Sequence, residues 1–134
     1  MTRAEVTLQR ILQGNGAFCF VGGLILLIFN TSLQAFLSVE NVDALFVIIG
    51  VFLLAYGAML IYTNRRTQFV LPVAYLAEIG DIIWVLGSWG VLAFDAFNLS
   101  TNGRWSVLIV SDIILMFAVM QFIYLRRIHR TKNN

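Results

Sequence analysis

The sequence predicts an all-α integral membrane protein: an antiparallel bundle of four membrane-spanning helices, preceded by a short amphipathic helix lying at the interface. Three observations predict it: an excess of apolar residues, four runs of spanning length, and basic residues concentrated, all but Arg104, in one set of connections. Hydrophobic residues make up 60% of 134 and charged residues 12%, where a soluble domain is roughly a quarter charged. A chain this short buries only about two-thirds of the surface its unfolded form exposes. The surplus apolar surface therefore faces lipid. A net charge of +2 gives a nucleic-acid partner no support.

The hydrocarbon core is about 30 Å thick, so a helix rising 1.5 Å per residue crosses it in ~20 residues. Residues 14–37, 44–63, 70–94 and 106–125 meet that length within a single domain, 1–134. Short polar connections separate them, so sequence neighbours pack side by side in opposite directions. Residues 1–13 interleave Val6, Leu8, Ile11 and Leu12 with Arg3, Glu5, Gln9 and Arg10. That pattern reads as the interfacial helix, capped by Thr2 or Thr7. Residues 126–134 read as a basic tail that frays into water.

Charge fixes the expected orientation. Arg3 and Arg10 precede the first span, Arg65 and Arg66 join the second to the third, and Arg126, Arg127, Arg130 and Lys132 follow the fourth. With four spans these eight residues share one side, leaving only Arg104 opposite them. Cytoplasmic loops accumulate Lys and Arg, so both termini are expected in the cytoplasm. Tyr62, Tyr75, Trp105 and Tyr124 fall near the interfaces, where amphipathic rings settle.

Three carboxylates lie inside spans: Glu78, Asp81 and Asp112. Each costs about 2.5–3.5 kcal/mol at the bilayer centre on insertion scales, so each is expected to face protein or a wet cavity. Asp81 is nearest the midplane, with Glu78 one turn towards the cytoplasm and about 60° away around the helix. Ser88 continues the same face. Two carboxylates this close do not both ionise readily, and no Lys or Arg lies within a span to neutralise them. One reading is a proton-, cation- or ligand-binding site formed by Glu78, Asp81 and Ser88, with Asp112 on its outer side. The other is structural: the carboxyls bond to Asn15, Asn30, Gln34, Ser111 or Tyr56 and hold the helices together.

Glycines form a second pattern, Gly50 and Gly57 in the second span and Gly80 and Gly87 in the third. Small residues at this spacing let helix backbones approach closely. Gly22-Gly23 and Gly90 read as places where a helix could loosen. The lone Cys19 reads as a small buried apolar residue, and His129 as a solvated tail residue. Zinc sites need several Cys or His ligands, and this chain has one of each. No phosphate loop or nucleophile–base pair appears, so neither a cofactor nor an enzymatic activity is predicted. Asn98-Leu99-Ser100 matches a glycosylation acceptor, a three-residue pattern of low specificity.

The stretch Asp81-Ile82-Ile83-Trp84-Val85-Leu86-Gly87-Ser88, the pair Arg65-Arg66, and Gln121 followed by Leu125-Arg126-Arg127 resemble a group of small bacterial four-span membrane proteins without an assigned activity. The resemblance covers most of the chain in layout and few positions in identity. It implies a bacterial source and an inner-membrane address, and no chemistry. The expected partners are the lipid bilayer and either further copies of the chain or a larger membrane complex, since four helices enclose little space. An accessory or assembly role in such a complex is the alternative to ligand binding or transport.

Overall fold

The computed structural model describes residues 1–134, and its regular structure is entirely helical. Five α-helices follow in order: α1 (Arg3–Ile28), α2 (Asn30–Leu37), α3 (Asp43–Thr63), α4 (Val70–Phe94) and α5 (Thr101–Lys132), with one 3₁₀ turn, Thr67–Phe69, leading into α4. Four are long and apolar enough to cross a bilayer: α1, α3, α4 with its leading turn, and α5.

The N-terminal segment is part of the first long helix. Thr2 caps α1 with a reciprocal box: its Oγ1 accepts from the Glu5 amide and Glu5 Oε2 accepts from the Thr2 amide. Nothing after that cap interrupts the helix, even at Gly14-Asn15-Gly16 or Gly22-Gly23. Leu8 and Leu12 are fully buried against Leu60, Val70, Ala74 and Leu125. A separate helix along the interface would leave these leucines without that core.

The first span also ends earlier than residue 37. It stops at Phe29, and a new short helix begins at Asn30. The polar run Asn30-Thr31-Ser32 explains the break, because such side chains compete for local hydrogen bonds and weaken a helix interior. Asn30 donates to the Asp43 carbonyl, and Gln34 donates to both Asn30 Oδ1 and Asp43 Oδ1. At the other end of the chain α5 runs on to Lys132, so the basic segment from residue 126 is helical. Arg126 and Arg127 stack over Phe122 and Tyr124, at 5.5 and 5.2 Å from the ring centres.

α1, with the first residue of α2, keeps one register against α3. Gln9 and Asn64 exchange side-chain-to-carbonyl bonds of 2.5 and 2.6 Å. Seven residues on, Gly16 faces Gly57; seven more, Gly23 faces Gly50; seven more, Asn30 meets Asp43. Each step of seven along one strand of the pair is matched by seven back along the other. That is the 3.5-residue repeat that holds a seam between two coiled helices.

The glycine contacts are tight. A Cβ on Gly57 would stand 2.5 Å from the Gly16 carbonyl oxygen and 2.7 Å from the Phe20 amide nitrogen. The expected stripe of Gly80 and Gly87 makes no such seam. A Cβ on Gly80 would meet only the Tyr56 side chain, 3.0 Å from its hydroxyl, and one on Gly87 would meet nothing within 4 Å. The partners of Gly50 and Gly57 are Gly23 and Gly16, which periodicity within a single helix cannot identify.

The two ends of the molecule differ in polarity. Lys132 Nζ lies 3.8 Å from Glu5 Oε1, and Gln9 is bonded to Asn64 beside Arg65, so both chain termini and the α3–α4 connection share one end. At the opposite end Ser100 caps α5 and ties it to α2. Its Oγ accepts from the Gly103 amide and donates to the Phe36 carbonyl. Arg104 pairs with Asp95 at 2.7 Å and donates to the Leu92 carbonyl, closing the end of α4.

Candidate functional site: a polar cluster beneath an apolar cavity

Asp81 lies on the buried face of α4 with Val73, Ala74, Ala77 and Val85, and only 3% of its surface is exposed. Asn15 of α1 and Gln121 of α5, both fully buried, donate to it. Asn15 Nδ2 lies 2.7 Å and Gln121 Nε2 2.8 Å from the same oxygen, Oδ2. One carboxyl oxygen thus ties three spanning helices together. The cluster extends to Cys19, whose Sγ lies 3.6 Å from Asn15 Oδ1 one turn along α1. Asn15 belongs to the set of partners expected from sequence. Gln121 does not: its spacing in α5 marks it as buried only once the neighbouring residues Ala118 and Leu125 are known to be buried too.

The other expected members of the site do not gather around Asp81. Glu78 is half-buried, and its Oε2 is enclosed without a hydrogen-bond partner. Tyr56 donates instead to the Ala77 carbonyl at 3.3 Å. Asn30 and Gln34 are engaged with Asp43, and the Ser111 hydroxyl is buried without a partner. Asp112 is exposed on α5 and makes no ion pair or side-chain hydrogen bond. It sits on a different face from Gln121, so it is no part of the Asp81 cluster.

Ser88 has a different setting from Asp81 although both lie on one face of α4. It lines two adjoining cavities, of about 380 and 460 Å³, in the half of the molecule that carries Asp95 and Arg104. The two share Leu26, Leu37, Trp84, Ser88 and Val107, so they lie side by side between α1–α2–α3 and α4–α5. Sites for small molecules run from about 300 to 1,000 Å³ and are mostly apolar with a few polar groups. Here the polar groups are few: the Ser88 and Ser106 hydroxyls, the partnerless indole N–H of Trp84, and Cys19 at the end nearest the Asp81 cluster. Neither cavity is lined by Asp81 or Glu78.

Two glycines leave room in this space. A Cβ on Gly22 in the first cavity, or on Gly87 in the second, would meet nothing within 4 Å. Their function is visible only once the helices are assembled, because a glycine facing a void and a glycine facing a backbone look alike in sequence. No family model, no curated protein and no solved structure matches this chain.

Proposed function

We propose that this is a non-enzymatic membrane protein that binds a small hydrophobic ligand in the apolar cavity lined by Trp84 and Ser88. In this reading the chain is an antiparallel four-span bundle in a bacterial inner membrane, with both termini in the cytoplasm. The cavity then lies in the outer half of the bilayer. Two adjoining cavities of about 380 and 460 Å³, each lined almost entirely by apolar side chains, are the observation that carries the proposal. The Asp81–Asn15–Gln121 cluster is the floor beneath them. Three helices are pinned there by polar bonds, while the half above holds the two cavities.

The test uses a brominated fatty acid as probe and the fluorescence of Trp84, with Trp89 and Trp105 replaced by Phe. Saturable quenching is expected at low probe-to-lipid ratio. Gly22→Leu places a side chain in the cavity without a backbone clash, so it is expected to abolish saturation and leave the fold intact. Quenching that rises linearly with probe in both forms would mean that only bulk lipid reaches Trp84, and would sink the proposal.

A second reading has its own observation. Glu78 Oε2 is enclosed without a partner; a cation would give it one and a proton would remove its charge, and carboxylates in such positions mark ion or proton paths. Proton flux in liposomes that Glu78→Gln removes would support that reading over simple ligand binding.

A further inference from the structure

α5 carries two heptad stripes on roughly opposite faces. The inner one is Ser111, Ile114, Ala118, Gln121, Leu125 and Ile128, all buried in the bundle. Its steps alternate three and four residues, the spacing of a seam between coiled helices. The outer one begins at Trp105 and continues through Ile109, Asp112, Met116, Val119 and Ile123. The same alternation holds throughout, and every member is exposed, the apolar ones from 42% at Ile123 to 61% at Trp105. One stripe has its partners. The other has none within the chain.

The outer stripe also holds a charge that lipid does not accommodate. Asp112 lies eight residues past Arg104 and fourteen before Arg126, thus about 12 Å from one and 21 Å from the other along the helix axis. The separation of the two arginines, about 33 Å, matches the hydrocarbon thickness. Asp112 is therefore about a third of the way into the membrane, and its short side chain cannot reach the headgroups. The other carboxylates of the spans are sheltered: Asp81 is buried and Glu78 half-buried. An intramembrane carboxylate normally faces protein and a complementary group.

We infer that the Trp105–Ile123 face of α5 docks a transmembrane helix of another protein, one that carries an arginine or lysine at the depth of Asp112. A second copy of this chain does not fit. No Lys or Arg lies between residues 105 and 125, and two copies sharing a membrane normal would set Asp112 against Asp112. A single ionic position on an otherwise apolar seam fixes register and partner choice, as a lone polar residue does in soluble coiled coils. The inference stands on residues that take no part in the cavity or the Asp81 cluster.

The probe is a designed Leu/Ala transmembrane helix with one arginine a third of the way in from its outer end. Association with the fluorophore-labelled protein in liposomes is read by energy transfer. The arginine helix is expected to bind at least about tenfold more tightly than an all-apolar control, consistent with the coupling of close charge pairs. Asp112→Asn is expected to remove that preference without changing thermal stability, because Asp112 bonds to nothing in its own chain. Equal binding of both probes overturns the inference, as does a preference that survives Asp112→Asn. So does an efficient disulfide-linked dimer formed through Met116→Cys in a Cys19→Ser background at low protein-to-lipid ratio, since a second copy would then occupy the stripe.

Discussion

At the scale of single residues, the most informative contact is the pair of amide donors on Asp81 Oδ2. Interhelical hydrogen bonds in membranes average about 0.6 kcal/mol and reach ~1.7. Asp81→Leu loses two of them and leaves the Asn15 and Gln121 amides buried without an acceptor, so it is expected to destabilise the bundle by about 1–3 kcal/mol. Asp81→Asn keeps a carbonyl oxygen where Oδ2 stands and is expected to do less than half of that. Reversible unfolding of both variants in mixed micelles measures the difference. Equal losses for the two would mean that the negative charge, not acceptance of hydrogen bonds, is what the site needs. The sequence exposes Asp81 and Asn15 as polar groups in apolar runs, because membrane solvation makes any such residue conspicuous. Gln121 is harder to read. It sits near the predicted end of its span, where a glutamine is equally at home in the headgroups, and only packing places it opposite Asp81.

At the scale of helices, spans were legible because length and hydropathy are properties of one segment. Their contacts were not. The seam between α1 and α3 rests on Gly16 and Gly23 as much as on Gly50 and Gly57, and its register is a relation between two segments. The break at Phe29 escaped for a related reason, since Asn30-Thr31-Ser32 interrupts the helix while leaving the apolar run long enough to look continuous. The distinction between glycines is testable. Gly57→Ala sets a methyl group against the α1 backbone at the Gly16 carbonyl and the Phe20 amide, neither of which can rotate away. Overpacking of this kind destabilises by about 1–3 kcal/mol. Gly87→Ala enters open space, where alanine is favoured over glycine in a helix interior by up to about 1 kcal/mol. The two substitutions are chemically identical and should move stability in opposite directions. A comparable loss at both positions would show that Gly87 packs against something in the membrane.

For the molecule as a whole, the arrangement of charge leads to a prediction about orientation. Arg65 and Arg66 share an end with both termini, and Arg126 and Arg127 begin the last two turns of α5 at that end. The opposite end presents Arg104 already paired with Asp95. Short loops rich in Lys and Arg are retained on the cytoplasmic side, and a single arginine at the opposite end offers little competition with eight basic residues. In a Cys19→Ala background, Asn98→Cys is therefore expected to react with a membrane-impermeant maleimide in intact cells. Thr67→Cys and Asn133→Cys are expected to react only after the membrane is opened. All three positions are exposed, so a failure to label reports sidedness, not burial. Replacing Arg65, Arg66, Arg126 and Arg127 together by Gln removes half of the eight basic residues at that end, and a mixed labelling pattern should follow as both orientations become accessible. Unchanged labelling in the fourfold variant would assign orientation to the N-terminal Arg3 and Arg10 instead. Labelling of Thr67→Cys and Asn133→Cys from opposite sides would contradict the four-span reading itself.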